Sequence, residues 1–364
     1  MNIKLIGNEK LTNLLNTWYQ EIRAQHTQKA QQLKIEIDEL MRDLKEDTNL
    51  LFYYSLLDFR FKVLVDSMSI TPASFERIDS LYNQTDDSLS YYYHFFKAIH
   101  ATILTNNNEA RDYYEKAEAL LKHVLDELEK AEFNYRIANF YLHTYQPLEA
   151  IKHVMKAREI FSKQAGYENN TAACDNIFGA ACVDIKQFPQ AEESFNSAIN
   201  ILRKQNEDLL VLRVRSNLGF LYASQNLSTL AIRHLSEVTH KIPNHFKAIF
   251  LEAREHFKLG ELNIAEELIK RGLTICRQIE NQEYQYHFSI LELMNKGVTA
   301  EILEETILKV IPYFDKEKLF NYTQEYTEKL AIKFYEEDNH YKASEYFYLS
   351  HQAKEKTFEK GALK

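Results

Sequence analysis

The stretch that decides the fold is PQAEESFNSAINIL, residues 189–202. It carries a small residue at Ala191, an aromatic residue four positions later at Phe195, and a second small residue at Ala198. In a tetratricopeptide unit two antiparallel helices pack closely, because small residues let them approach and larger residues fill the gap. The spacing is typical of the second helix of such a unit, and Pro189 lies where a turn would precede that helix.

The same small–large–small triplet recurs along the chain. Its other members are Ala110, Tyr114 and Ala117; Ala150, Val154 and Ala157; Ala231, Leu235 and Val238; Ala265, Ile269 and Gly272; and Ala343, Phe347 and Ser350. Successive triplets begin 40, 41, 40, 34 and 78 residues apart, and 34 is the standard period of this repeat. The last interval leaves room for a degenerate repeat near residue 300. We therefore predict seven repeats between about residues 75 and 360.

The first 70 residues lack the triplet and instead show three apolar stripes at helical spacing. The stripes are Leu11, Leu15, Trp18 and Ile22; Ala30, Leu33, Ile37, Leu40 and Leu44; and Leu50, Tyr54, Leu57, Phe61 and Leu64. The prediction is an all-α protein, with a three-helix bundle over residues 1–70 and a right-handed superhelix of about seven tetratricopeptide repeats over residues 71–364. The segment around Pro72 is the candidate hinge.

The amino-acid composition and net charge argue against several classes of function. The chain has only 8 glycines and 5 prolines in 364 residues, which favours long helices with short turns. Its net charge of −9 argues against a nucleic-acid-binding surface, which needs concentrated lysine and arginine. The three cysteines and 13 histidines show no metal-binding spacing. No stretch has the length of a membrane span, and the amino terminus lacks a signal core. We expect a cytoplasmic protein without a metal, nucleic acid or membrane partner.

Four segments resemble the Rap family of bacterial regulators. They are LNTWYQEIR at residues 15–23, EDTNLLFYYSLLDFR at 46–60, YYYHFFKAIH at 91–100 and DELEKAEFNYRIANFYL at 126–142. The resemblance extends over essentially the whole chain. It implies a three-helix bundle before about seven tetratricopeptide repeats.

The resemblance also implies two partners. Several family members dock on a response regulator and hydrolyse its aspartyl phosphate, whereas others block a response regulator without any chemistry. A short signalling peptide, secreted and re-imported, binds the concave face of the repeats and switches the protein off. The family requires no cofactor of its own, since Mg²⁺ is expected on the partner response regulator. Sporulation control and quorum sensing are the corresponding physiological expectations.

The candidate catalytic position is Thr48. Phosphatase members of the family carry a glutamine at the start of the third helix, where its amide positions the attacking water. Here the matching residue is Thr48, preceded by Glu46 and Asp47 and followed by Asn49. Threonine can also hydrogen-bond water but is shorter. Three alternatives follow: the response regulator docks closer to the helix, or Asn49 positions the water in place of the glutamine, or the phosphatase activity is absent. The alternative is structural, because Asp47, Thr48 and Asn49 are all common helix-capping residues.

The remaining candidate residues contact partners. Glu46, Asp47, Leu51 and Phe59 fall at or beside family positions that face the response regulator, and the alternative for Leu51 and Phe59 is the bundle core. Asp184 and Asn217 correspond to family positions that contact the peptide. An asparagine amide can pair with a peptide backbone, and an aspartate can anchor a cationic peptide residue. The alternative for both is a solvated repeat position.

Two other functions remain open. A non-enzymatic Rap-like protein would sequester a response regulator or another transcription regulator. A peptide-controlled transcription factor would need a basic helix-turn-helix. Acidic residues crowd the first 70 positions (Glu36, Asp38, Glu39, Asp43, Glu46 and Asp47), which disfavours that function.

Overall fold

The computed structural model describes residues 9–42, 47–82 and 87–361, and these residues are almost entirely helical. They form eighteen α-helices, and two 3-10 helices (Ser67–Ser69 and Pro72–Phe75) lie between α3 and α4. The α-helices are α1 Glu9–Arg23, α2 Thr27–Arg42, α3 Thr48–Asp66, α4 Glu76–Leu81, α5 Asp87–Ile103, α6 Asn107–Leu121, α7 Glu127–His143, α8 Pro147–Phe161, α9 Glu168–Asp184, α10 Phe188–Lys204, α11 Asp208–Ser224, α12 Ser228–Lys241, α13 Phe246–Lys258, α14 Leu262–Gln278, α15 Gln282–Asn295, α16 Ala300–Lys316, α17 Phe320–Glu336 and α18 His340–Gly361.

Helices α5 to α18 pair into seven antiparallel hairpins that stack as a superhelix. Each triplet lies on the second helix of a hairpin, and the triplets on α6, α8, α10, α12 and α14 are buried. The degenerate repeat predicted near residue 300 is the pair α15–α16. There, Leu303, Ile307 and Val310 keep the spacing and are buried, although Leu303 and Val310 are larger than the small residues of the other triplets.

The turn inside every hairpin has the same backbone geometry. One residue adopts a left-handed conformation, and the next residue donates its N–H to the carbonyl five positions before it, which closes the preceding helix. The left-handed residues are Thr105, Tyr145, Lys186, Asn226, Gly260, Gly297 and Asp338. The turn from α1 to α2 repeats this arrangement, with Gln25 at a φ of 59°. The first hairpin of the chain therefore turns in the same way as the repeats.

Helices α1 and α3 have a common apolar interior. Leu11, Leu15, Trp18 and Ile22 of the first predicted stripe are all buried. The indole of Trp18 donates a 2.9 Å hydrogen bond to the carbonyl of Ala30 on α2. Helix α2 is more loosely packed than its stripe predicted, because Leu40 is 36% exposed. Leu44 lies outside the described residues.

The opposite ends of the array touch. The carboxylate of Glu317, at the end of α16, accepts the backbone N–H of Asn107 at 2.8 Å, at the start of α6. In the neighbouring turn, the hydroxyl of Tyr145 donates a 2.8 Å hydrogen bond to that of Tyr322 on α17. An anionic side chain at a helix amino terminus is electrostatically favourable. Repeats 1 and 2 are thereby joined to repeats 6 and 7, so the superhelix closes on itself. Its concave side, which the first helices of the repeats line, is called the channel below.

Candidate functional site

The start of α3 presents the candidate catalytic residue to solvent. Asp47 caps this helix, because its carboxylate accepts the N–H groups of Asn49 and Leu50, both at 3.1 Å. Thr48 is therefore the first helical residue and not the cap. Thr48 and Asn49 are exposed, and the Thr48 hydroxyl has no hydrogen-bond partner within the described part of the chain. Glu46, the other acidic residue predicted to contact the response regulator, lies outside the described residues.

The two apolar residues expected to face a response regulator differ in accessibility. Leu51 is half-buried at the edge of α3. Phe59 is only 1% exposed, and its ring packs against Phe75 at 4.9 Å and against His100 at 5.7 Å between centroids. In this arrangement of the helices Phe59 is part of the core, so a partner protein could not contact it unless α3 moved.

Buried charges fasten α3 to the second repeat. Arg60 donates a 2.8 Å hydrogen bond to Glu132 on α7, and each side chain is 1% exposed. Burial raises the pKa of the Glu132 carboxyl, but Arg136 and Arg60 lower it more, so Glu132 stays below its ordinary value. Burial lowers the pKa of Arg60. Two of its nitrogens, Nε and Nη1, have no hydrogen-bond partner among the described residues.

A second set of buried polar contacts fastens α1 to the same helix. Arg23 contacts Glu129 at 3.1 Å and Asp126 at 2.8 Å. The Tyr19 hydroxyl donates to Glu129 at 2.9 Å. The first and third helices are thus both attached to α7 through charged groups, which hydrate readily if the helices separate.

The two residues predicted to bind a peptide lie on neighbouring first helices. Asn217 of α11 is half-buried and donates a 2.9 Å hydrogen bond to Asn176 of α9. Asp184 is the last residue of α9 and has no cationic partner in the described ranges. Burial raises the pKa of its carboxyl to about 7. A carboxylate in this setting favours a ligand that brings a positive charge.

Two cationic residues on the channel-lining helices were not predicted from the sequence as binding residues. Arg213 on α11 and Lys247 on α13 each lie six residues before the small residue of their helix, Gly219 and Ala253. Both are half-buried. Repeat register is the signal that could have found them, because it assigns them the same position in consecutive repeats.

Other kinds of site are not apparent within residues 9–42, 47–82 and 87–361. That part of the chain contains no cluster of histidine, cysteine, aspartate or glutamate able to hold a metal ion. Nor does it contain a helix with the length and apolarity to cross a membrane. Cys174, Cys182 and Cys276 are buried free thiols.

These features define a helical-repeat protein with an internal groove and four α-helices preceding the array. A family model described as "response regulator aspartate phosphatase H, N terminal" matches residues 5–66, and a tetratricopeptide repeat model matches residues 129–204. The "Response regulator aspartate phosphatase I" of Bacillus subtilis (strain 168) is 26% identical over 367 residues, which cover 96% of this chain and 92% of that protein. The chain is thus similar to Rap proteins over nearly its whole length.

Two solved structures differ in how closely they match. A Rap protein complexed with Competence and Sporulation Factor has a TM-score of 0.79 at 24% identity, covering 97% of this chain and 99% of that one. The apo form of RapI has a TM-score of only 0.54 at 25% identity, with the same coverage. The helix arrangement described here is therefore more similar to that of the complex.

Proposed function

We propose that this protein is a peptide-controlled regulator that binds a response regulator and hydrolyses its aspartyl phosphate. Residues 1–70 would be the docking unit and residues 71–364 the peptide-binding unit. Response-regulator binding is supported by the name of a relative, a response regulator aspartate phosphatase. Peptide binding is supported by the similar structure of a Rap protein complexed with Competence and Sporulation Factor. The proposal places the chain in the cytoplasm, where a response regulator would be its partner, and involves neither nucleic acid nor a membrane.

The observation that carries the control mechanism is the burial of Phe59. With α1 and α3 fastened to α7, Phe59 lies against Phe75 and His100 and is closed to a partner. A conformation that exposes Phe59 and Leu51 must detach α3 from the repeats. A peptide that binds this closed arrangement more tightly shifts the population toward it and releases the response regulator.

The chemistry would take place at the exposed start of α3. Hydrolysis needs a water molecule aligned with the aspartyl phosphate, and the response regulator supplies the aspartate and its Mg²⁺. The unengaged Thr48 hydroxyl, with the Asn49 amide beside it, would hold that water. Asp47, as the cap, fixes the backbone from which both side chains project.

The test is the decay of phosphate on a phosphorylated sporulation-type response regulator, with and without the protein. We expect accelerated decay that Thr48→Ala removes and that Thr48→Ser retains in part. Thr48→Gln should accelerate decay on the order of a hundredfold over the natural chain, because glutamine has the longer reach and a water displaced by about 1 Å from its productive position can cost that factor. Decay that is unaffected by Thr48→Ala would remove Thr48 from the mechanism.

The second candidate function is sequestration without chemistry. The observation that favours it is the short Thr48 side chain in place of the family's glutamine. It predicts that the protein binds a response regulator, or another transcription regulator, without changing phosphate decay. Thr48→Ala should then leave binding intact, whereas Leu51→Glu should weaken it. Measuring binding and decay in the same sample separates the two functions.

A further inference from the structure

Arg213 and Lys247 lie on the first helices of repeats 4 and 5, and the first helices of such repeats line the concave side of the superhelix. Arg213 lies one helical turn before Asn217, so the two side chains occupy the same face of α11. The Lys247 ammonium lies 5.5 Å from the centre of the Tyr284 ring, which is on the first helix of repeat 6. Both positions therefore belong to the surface that carries the predicted peptide contacts.

Electrostatic effects across the channel support this placement. Burial lowers the pKa of His143 on α7, and the charge of Lys247, three repeats away, lowers it further. Burial likewise lowers the pKa of Arg213, which is influenced by Tyr135 and Arg136 on α7. Groups so far apart in sequence interact only if their helices face one another across the interior.

Neither cation has a carboxylate within ion-pair distance among the described residues. Glu283 is the acid whose charge acts on Lys247, and Asp66 is the acid whose charge acts on Arg213. Glu283 lies 3.7 Å from His287 instead, and Asp66 lies 3.5 Å from the Asn244 amide. No carboxylate in the described part of the chain forms an ion pair with either cation. Burial lowers the pKa of Lys247 despite Glu283.

The channel is thus charged oppositely at two places. Among the described residues, Asp184 on repeat 3 has no cation within ion-pair distance. Arg213 and Lys247 on repeats 4 and 5 have no carboxylate within that distance, although Asp66 and Glu283 act on them from further away. Unpaired charges are unfavourable in a partly buried channel. A ligand that carries one positive and one negative group could pair with the acid and with the cations at the same time. Arginine and lysine together recognise a carboxylate by charge-assisted hydrogen bonds.

We propose that Arg213 and Lys247 form a carboxylate-binding subsite of the peptide groove and thereby fix the direction in which the peptide lies. The inference rests on the proposed peptide binding and extends it by naming the anionic group that the ligand must carry. That group is either the carboxyl-terminal α-carboxylate of the peptide or an aspartate or glutamate side chain within it.

The experiment uses two pools of random pentapeptides, one with free α-carboxylates and one amidated at the carboxyl terminus. Each pool is incubated with the full chain, the protein is separated by gel filtration, and retained peptides are identified by mass spectrometry. If peptides are retained from the free-acid pool alone, the group bound by Arg213 and Lys247 is the α-carboxylate. Retention from both pools, with aspartate or glutamate enriched at one position, assigns a side chain.

Synthetic copies of the retained peptides are then tested for affinity against variants. Arg213→Gln and Lys247→Gln should each weaken binding roughly ten- to a hundredfold, the usual value of one charge-assisted hydrogen bond. Arg213→Lys should restore part of the loss. The matched control is Lys329→Gln, which removes a half-buried groove lysine already paired with Glu325 at 2.6 Å and should change affinity little. Thermal unfolding of each variant checks that it folds.

The outcomes separate the subsite from the function on which it rests. Peptides retained equally from both pools without acidic enrichment, or bound equally by Arg213→Gln, Lys247→Gln and the natural chain, would overturn the subsite and leave peptide binding intact. Retention of no peptide by the natural chain would overturn peptide binding, and the subsite with it.

Discussion

At the residue scale, the Asp184 carboxyl makes stability depend on pH. Burial raises its pKa to about 7, whereas the unfolded chain releases the proton near pH 4. Below about pH 4 both states hold the proton and the carboxyl has no effect. As the pH rises from there to about 7, the unfolded state is favoured increasingly, because only it ionises freely.

We therefore expect Asp184→Asn to raise the midpoint of thermal unfolding more at pH 8 than at pH 5. The matched control is Asp58→Asn. Burial raises the pKa of Asp58, but hydrogen bonds from Lys62 and Lys34 lower it more, so its net shift is downward. This control should lose stability at pH 8 and lose less as the pH falls toward 3. An equal effect of Asp184→Asn at both pH values would contradict the raised pKa.

A second residue-scale prediction concerns Gly272, where two repeats touch. A Cβ atom there would lie 2.0 Å from the Phe288 ring, so alanine forces that ring to move. Alanine normally stabilises a helix by about 1 kcal/mol relative to glycine, but overpacking a core costs roughly 1–3 kcal/mol. Gly272→Ala should therefore lower the free energy of unfolding by up to about 2 kcal/mol in urea titration.

The control is Lys270→Ala, at an exposed position of α14, which should change the free energy of unfolding little. If Gly272→Ala were more stable than the natural chain, the Phe288 ring would be able to move aside at no cost.

At the scale of elements, the pair Arg60–Glu132 controls how α3 rests on α7. Glu132 has a second cation, Arg136 at 2.7 Å, whereas Arg60 has no other carboxylate within ion-pair distance among the described residues. Glu132→Gln should cost about 3–5 kcal/mol, because it strands the buried Arg60 charge. Arg60→Met should cost clearly less, since it removes the charge and keeps the volume. Urea denaturation gives both values, and faster hydrogen exchange in α3 of Glu132→Gln would locate the loss. Equal costs would show that the pair itself is the main contribution.

The elements themselves were largely predictable from sequence, and their contacts were not. The triplet spacing predicted six of the second helices, and the 78-residue interval predicted α16, where Leu303 and Val310 replace the small residues. The pairing of Arg60 with Glu132 joins residues 72 positions apart, and periodicity within one helix contains no information about such partners.

The residues of the candidate site were likewise predictable only in part. Thr48, Asp184 and Asn217 were named from a family resemblance, and their roles stay predictions. Arg213 and Lys247 were passed over, because a charged residue on a repeat helix is usually solvated. Their half-burial on the first helices of neighbouring repeats is seen only in the folded array.

At the scale of the whole molecule, the contact between Glu317 and the start of α6 controls the width of the channel. The Glu317 carboxylate accepts two backbone N–H groups, those of Asn107 and Asn108. Glu317→Ala should let the ends of the superhelix separate and increase the radius of gyration in small-angle X-ray scattering. Glu301→Ala, an exposed acid on the same helix, is the control and should leave the radius unchanged. An unaltered radius for Glu317→Ala would mean that Tyr145 and Tyr322 suffice to hold the ends together.

The single tryptophan of the chain gives this molecule a built-in optical reporter. Trp18 is fully buried on α1, its indole N–H is bonded to Ala30, and its ring lies 5.7 Å from that of Phe61 on α3. Its fluorescence therefore reports on the packing of the first three helices. Exposure of the indole to water would shift the emission to longer wavelengths, so ligand-driven movement of these helices can be followed in real time without attaching a dye.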